Sequence, residues 1–115
     1  MAGISPTQNS LKRLRKAGYE AGVVEKWVPQ ARRRIDLWGF VDIVAVHPTD
    51  GLLLVQTTTA GNMASRMSKA AKIAAAGYCV SAGATVEVHG WKKERGLWVC
   101  RVATFDGAGW AVAWD

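Results

Sequence analysis

Two apolar runs separated by a short turn constrain the fold of this chain more than any other feature. The first, FVDIVAV, spans residues 40–46, and the second, LLLVQTT, spans residues 52–58, with HPTDG between them. Runs of this length around a turn predict a β-hairpin, and apolar residues at successive positions predict strands that are covered on both faces. The sequence therefore predicts an antiparallel hairpin at the centre of a sheet.

Helical and strand patterns flank this hairpin. Ser5 or Thr7 is a suitable N-cap for a first helix that Gly18 ends, and Gly77 is a suitable stop for a second. Residues 29–39 are predicted as a loop, and the tail at 106–115 gives no prediction. The remaining elements follow from periodicity and from the Gly and Pro residues between them: helices over 6–18 and 61–76, and strands over 21–28, 85–91 and 97–105.

Length and charge narrow the class of protein. The 115 residues suffice for one domain, and the net charge of +6, from 15 basic and 9 acidic residues, favours a polyanionic partner without establishing one. The cations cluster at 12–16, 32–34, 66–72 and 92–95, whereas the acidic residues are scattered.

Targeting signals and cysteines bear on the compartment. No apolar run approaches the roughly 18 residues of a membrane span. The beginning MAGISPTQNS lacks the apolar core of a signal peptide. Cys79 and Cys100 lie in apolar surroundings and fit buried thiols in a reducing compartment. The sequence therefore predicts a cytoplasmic protein without a membrane partner.

Polar residues at one end of the predicted hairpin indicate a site. Asp42 lies near the start of the first run, and Gln56 and Thr58 lie near the end of the second. Those two ends are adjacent in an antiparallel hairpin, and residues two apart on a strand point to the same face. The helix over 61–76 would begin beside them, where its free N–H groups attract anions. Such a constellation suits a metal ion and a phosphate.

The order αβββαβ, with an Asp opening the second strand and a polar-x-polar pair closing the third, resembles the PD-(D/E)XK nuclease superfamily. GFVDIVAV matches the first half of its motif, and LLLVQTT matches the second half in shape. The string DLWGFVDIVAV…VQTTTAGNMASR is also similar to small phage proteins related to Holliday junction resolvases and VRR-type nucleases. The resemblance covers about residues 7–92. It implies a single α/β domain over 1–115, with a restriction-endonuclease-like αβββαβ core, a mixed central sheet flanked by helices, and an added C-terminal β-hairpin.

The resemblance also implies an activity. The chain would be a magnesium-dependent endodeoxyribonuclease, with manganese as a substitute, cleaving DNA that includes branched forms such as Holliday junctions. It would act as a homodimer, in the host cytoplasm if it is phage-encoded. Asp42, Gln56, Thr58 and Lys69 are the implied catalytic residues, and Asp42 with Gln56 would hold the metal.

The chain departs from the superfamily motif at two positions. Gln56 stands where an acidic residue is usual, and Thr58 stands where a lysine is usual. An amide oxygen can still ligate magnesium, but the site has one negative charge fewer. Asp36 and Glu25 are the candidates for the missing carboxylate. Residues on two helices are candidates for the other missing groups: Lys69 and then Arg66 for the displaced lysine, and Gln8 for the acidic residue that resolvases carry on their first helix.

The basic residues near this site have two interpretations. Those predicted to contact DNA are Arg32, Arg33, Arg34, Arg66 and Lys72. The three arginines would otherwise be a solvated loop.

Asp42 would otherwise cap a turn or pair with Arg33 or Arg34. Trp38 would either stack on a base or fill the core.

Two other functions are consistent with the same sequence. Because Gln56 and Thr58 replace the usual acidic residue and lysine, the fold could retain DNA binding without cleavage. A phage protein that binds a host protein would have the same charge incidentally.

Overall fold

Six strands form one mixed sheet, and two short strands form a separate ribbon, in a computed structural model that describes residues 5–114. The helices are α1 (Pro6–Lys16), α2 (Met63–Ala71) and α3 (Ala74–Ser81), and a 3-10 turn over Ala60–Asn62 precedes α2. The strands are β1 (Glu20–Val23), β2 (Lys26–Val28), β3 (Arg33–Ile35), β4 (Ile43–His47), β5 (Gly51–Thr59), β6 (Thr85–Glu94), β7 (Leu97–Phe105) and β8 (Trp110–Trp114).

The sheet has the order β1-β4-β5-β6-β7-β8, and β2 pairs with β3 alone. β5 and β6 are parallel, and the other pairs in the sheet are antiparallel. A parallel pair needs a crossover, and here the crossover contains α2 and α3. The fold class is therefore confirmed: a mixed central sheet is flanked by helices, and the C-terminal hairpin β6–β7 is present.

Each face of the sheet has its own core. On one face, α1 packs Leu11 and Leu14 against apolar residues of β1, β4 and β5. On the other face, α2 and α3 contribute Ala70 and Ala76, which pack with Phe105 of β7. The central strands are thus covered on both sides, which is why their sequences are apolar at successive positions.

A buried polar network fixes α1 to the sheet. Ser10 is fully buried, and its Oγ lies 2.9 Å from Nδ1 of His89 and accepts a hydrogen bond of 2.8 Å from Nε1 of Trp91. Nε2 of His89 lies 2.9 Å from a carboxylate oxygen of Glu87. Buried polar groups that are hydrogen-bonded to one another favour a single docking geometry. The network thereby fixes α1 against β6.

Several predicted boundaries agree with the structure and one apolar run starts late. Ser5 caps α1 by accepting a hydrogen bond from the Gln8 N–H, and Gly18 follows the helix at a φ of 95°. β4 begins at Ile43, three residues later than predicted. The residues before it form a turn closed by a Leu37–Val41 bridge, which buries Phe40.

The strand predicted over 21–28 and the loop predicted over 29–39 are both wrong in part. The last hydrogen bond between this segment and the β4 side of the sheet runs from the Val24 N–H to the Asp42 carbonyl, at 2.8 Å. Beyond Val24 the chain turns away from β4, so β1 and β2 belong to different sheets. The supposed loop contains β3, which pairs with β2 in the register Lys26↔Ile35. Residues 26–35 thus form a two-stranded ribbon, called the arginine ribbon below because it contains Arg32, Arg33 and Arg34.

The single helix predicted over 61–76 is also wrong. Ile73 adopts an extended conformation (φ −89°, ψ 118°) and packs against the core, which separates α2 from α3. Gly77 lies inside α3 rather than at a helix end. Further on, β6 continues through Glu94, so the turn is confined to Arg95 and Gly96.

The tail, which the sequence did not place, adds a strand to the sheet. β8 pairs with β7 in the register Arg101↔Trp114 and forms one edge of the sheet. Residue 115 of that tail, and residues 1–4 of the predicted beginning of the domain, lie outside the described residues. Within residues 5–114, no helix is long and apolar enough to cross a membrane.

Candidate functional site

Asp42 is fixed between two strands at the entrance to β4. Its N–H donates to the Val55 carbonyl at 2.9 Å, and its side chain is 5% exposed. Oδ2 accepts hydrogen bonds from the N–H of Thr57 at 2.8 Å and from Thr57 Oγ1 at 3.2 Å. A carboxylate held this way has a fixed orientation, as a metal ligand requires.

Two further carboxylates approach Asp42 from the arginine ribbon. Glu25 precedes β2 and Asp36 follows β3, so the antiparallel pairing of the ribbon brings both to its base. One side-chain oxygen from each of Glu25, Asp36 and Asp42 lies within 4.8 Å of the others. We call these three residues the acidic cluster.

The acidic cluster is strained electrostatically in the absence of a cation. Burial, first, and then hydrogen bonding and charge repulsion from Asp36, with a smaller repulsion from Glu25, raise the pKa of Asp42 from 3.8 to about 8. The hydrogen bond from the Thr57 N–H acts in the opposite direction. Like-charged groups that share a buried site favour a proton or a metal ion between them.

Gln56 contacts the same cluster through its side-chain amide. Its side chain is 1% exposed, and Nε2 donates to Oδ2 of Asp36 at 3.1 Å. No donor among the described residues reaches the other amide atom, Oε1. A buried acceptor without a partner costs about 1–3 kcal/mol, so this oxygen is suited to accept a hydrogen bond from water or to ligate a cation. Carboxylate and amide oxygens together are the donors that hard divalent cations prefer.

An open pocket of about 520 Å³ surrounds the acidic cluster. Arg33 and Arg34 of the ribbon line it from one side, and Arg66 and Lys69 of α2 line it too. The guanidinium of Arg34 lies 3.8 Å from Glu25, and its side chain is 62% exposed. The pocket therefore combines a carboxylate centre with cations that remain available to a phosphate.

The structure brings most of the predicted site residues together. Asp42, Asp36, Glu25 and Thr58 line the pocket, and Gln56 contacts Asp36. Their catalytic and metal-binding roles stay predictions, but the convergence at one end of the hairpin matches the expected geometry.

Other predicted residues lie elsewhere. Arg32, Lys72 and Gln8 are exposed and do not line the pocket. Trp38 is 54% exposed at a φ of 55°, so its interpretation as a core residue is wrong. The interpretation of Asp42 as a partner of Arg33 or Arg34 is not supported, because Arg34 pairs with Glu25 and no ion pair within residues 5–114 joins Asp42 to an arginine.

Sequence reasoning missed two threonines. Thr57 orients Asp42, and Thr57 Oγ1 also lies 2.8 Å from Oγ1 of Thr7 in α1. Alternation along the strand places Gln56 and Thr58 on the face opposite to Thr57, so only those two were predicted as site residues. The register Ile43↔Val55 places the Thr57 N–H near Asp42, and knowledge of it would have identified Thr57.

Comparison of the chain with protein-family models, with curated proteins and with solved structures finds no match. The likeness to PD-(D/E)XK nucleases therefore stays a prediction from the sequence, and the chemistry of the pocket has to support any function.

Proposed function

We propose that the protein is a metal-dependent endodeoxyribonuclease, with magnesium as its ion and manganese as a substitute. The observation that supports this best is the acidic cluster, three carboxylates with one oxygen of each within 4.8 Å of the others, to which the amide of Gln56 is hydrogen-bonded through Asp36. Four cations in the same pocket are matched to the phosphates of a nucleic acid rather than to a neutral substrate.

The donor set fits a hard divalent cation. Asp42, Asp36 and Glu25 would hold it, and Oε1 of Gln56 would gain the partner that it lacks. Once bound, such an ion supplies Lewis acidity toward a phosphate oxygen and toward water. The ion would offset most of the negative charge of the three carboxylates and so oppose the repulsion from Asp36 and Glu25, which together with burial raises the pKa of Asp42.

The surrounding residues orient the carboxylates and hold the substrate. Thr57 fixes Asp42, Gln56 fixes Asp36, and Arg34 lies beside Glu25. Lys69 and Arg66 extend from α2, while Arg33 and Arg34 extend from the ribbon, so a phosphodiester in the pocket meets cations from both elements. Lys69 is the candidate for the charge that the lysine of the usual motif would provide.

Cleavage of labelled DNA tests the proposal. We expect nicking or cutting of a four-way junction or of a matched duplex with magnesium or manganese, and none with EDTA. A preference for the junction would support the branched substrate that the resemblance implies, and the homodimer that it also implies is tested by measuring the mass of the protein in solution. No cleavage of either DNA with either metal would contradict a nuclease.

A DNA-binding module without cleavage is the second candidate. Thr58 supports it, because this uncharged residue lines the pocket at the position where the motif has a lysine. Salt-dependent DNA binding without metal-dependent cleavage would identify this function.

The arginine ribbon gives a prediction about affinity. Arg33 and Arg34 line the pocket whereas Arg32 does not, so the pair should contact the DNA backbone. We expect Arg33→Gln with Arg34→Gln to weaken DNA binding and to flatten the dependence of log K on log salt by roughly 0.9 per lost phosphate contact. Fluorescence anisotropy over a salt series measures both.

Arg32→Gln is the matched control for this prediction. It removes one positive charge, half of what the double variant removes, from the same ribbon outside the pocket, and should change the salt slope little. Equal effects of the single and the double variant would show that the ribbon acts only through its net charge.

A further inference from the structure

A transverse row of paired residues connects the pocket to the far edge of the sheet. Thr58 pairs with Gly90, Gly90 pairs with Arg101, and Arg101 pairs with Trp114. Directly paired residues on neighbouring strands point to the same face of a sheet. Thr58 lines the pocket, so Arg101 and Trp114 continue from it on that face.

The outer end of this row is aromatic and cationic. Nζ of Lys92 lies 4.8 Å from the ring centroid of Trp114, and the guanidinium of Arg101 lies 5.7 Å from it. Trp114 is 53% exposed, and Arg101 is exposed as well. We call Lys92, Arg101 and Trp114 the tryptophan patch.

The electrostatic surroundings of the patch are positive. Nζ of Lys92 also forms an ion pair of 2.7 Å with Glu94, an acidic residue at the end of the β6–β7 hairpin. The cations there outnumber it: Lys92, Lys93, Arg95 and Arg101. On the other face of the hairpin, Nζ of Lys93 lies 5.6 Å from the ring centroid of Trp98, which is 39% exposed.

The tryptophan patch is not explained by packing. Trp110, on the same strand and the same face, packs against Phe105 with ring centroids 4.9 Å apart and is partly buried against the core. Trp114 instead keeps more than half of its surface in solvent on an edge strand. An exposed ring with cations beside it offers a stacking surface for a base and charges for the adjacent phosphates.

Distance relates the patch to the pocket. Thr58 and Trp114 lie on strands three places apart, which corresponds to about 14 Å at the usual strand spacing. At the 3.4 Å per nucleotide of a duplex strand, that is about four nucleotides. Ala60 and Met63 lie over Gly90 between the two places, so a DNA strand that reaches both passes over the start of α2 and needs more than this minimum.

We infer that the tryptophan patch binds an unpaired segment of the DNA strand that enters the pocket, with a base stacked on Trp114 and phosphates on Arg101 and Lys92. This rests on the proposed function and specifies its substrate as DNA with a single-stranded portion. A base inside a duplex is already stacked on its neighbours, so the open ring favours single strands. An acidic peptide would use the cations but not the ring.

Binding in EDTA tests the inference without depending on cleavage. The probe is a fluorescent single-stranded oligonucleotide, compared with the same sequence as a blunt duplex. Trp114→Ala should lower the affinity for the single strand about fivefold or more, with little change for the duplex. Trp114→Phe, which keeps a ring, should retain most of the affinity. Arg101→Gln should weaken single-strand binding and reduce its salt slope by roughly 0.7.

Two controls separate stacking from charge and from misfolding. Tyr78→Ala removes an aromatic residue that is 72% exposed on α3, and Lys12→Gln removes an exposed cation from α1. Neither should change single-strand affinity. Thermal melts establish that each variant is folded.

Three results would overturn the inference. The first is unchanged single-strand affinity of folded Trp114→Ala. The second is an equal loss for duplex and single strand, and the third is equally effective displacement of the oligonucleotide by polyglutamate. If the wild type binds the single strand as inferred but never cleaves DNA, the proposed nuclease activity fails and the binding patch stands.

Discussion

Replacing Asp42 by asparagine is expected to stabilise the metal-free protein near neutral pH and to remove the stabilisation that magnesium provides. Asparagine has nearly the same shape, and its oxygen can accept both hydrogen bonds from Thr57. Its amide can donate toward Asp36 or Glu25 without the proton that the Asp42 carboxyl has to take up to do the same. Cleavage should be lost because a charged ligand is missing.

The pH dependence of this effect follows from the raised pKa of Asp42. The folded protein holds a proton up to about pH 8, whereas an ordinary aspartate releases it near 3.8. Folding therefore takes up a proton between these values, and the stability contributed by Asp42 falls as the pH rises from about 4 to about 8. The asparagine variant lacks this slope, so its advantage over the wild type should grow to a few kcal/mol, about the linkage expected for such a shift.

Denaturant melts from pH 4 to 9, with EDTA or with magnesium, measure this directly. Asp50→Asn is the control, because Asp50 is exposed and lies outside the pocket. If magnesium does not change the stability of the wild type, and Asp42→Asn is less stable than the wild type, then Asp42 is a structural residue.

Gln56→Glu should have the opposite effect. The change turns the hydrogen bond from Gln56 Nε2 to Asp36 into a repulsion between two carboxylates and adds a fourth acidic group to the acidic cluster. We expect the metal-free protein to lose about 2–3 kcal/mol, or on the order of 10 °C in Tm. The loss should shrink as the pH falls, because a protonated glutamic acid can again donate to Asp36.

The same variant should bind a divalent cation more tightly. A fourth carboxylate increases the charge of the donor set, so the gain in Tm on adding magnesium should exceed that of the wild type. Gln30→Glu, an exposed residue of the arginine ribbon, makes the same charge change outside the pocket and should give neither effect. Equal Tm values of Gln56→Glu and wild type in EDTA would show that a charge at position 56 does not interact with the carboxylates of the acidic cluster.

The parts of the fold that were predictable are those with strong hydrophobic signals. β4 and β5 are recognisable because both faces of each strand are buried, and α1 has a clear cap and stop. The arginine ribbon was missed because β2 and β3 have three residues each and no apolar pattern. The break at Ile73 was missed because the alanines around it favour a helix. In the structure Ile73 is extended and its side chain packs against the core.

The candidate site was predictable where it depends on the hairpin. Antiparallel pairing alone brings Asp42 near Gln56 and Thr58. The recruitment of Glu25 and Asp36 depends on the ribbon, so the sequence indicated them only as candidates. The role of Thr57 depends on its backbone N–H, which the register places beside the Asp42 carboxylate, whereas alternation along a strand describes only side chains.

The attachment of the arginine ribbon has a consequence for local unfolding. Both ends of the ribbon carry a carboxylate of the acidic cluster, while the third carboxylate belongs to the central sheet. Without a cation, repulsion acts at the base of a ribbon that pairs with no other strand of the sheet. A cation would join base and sheet, so the amide hydrogens that pair Lys26–Val28 with Arg33–Ile35 should exchange with solvent more slowly in its presence, while those of β5 remain unchanged.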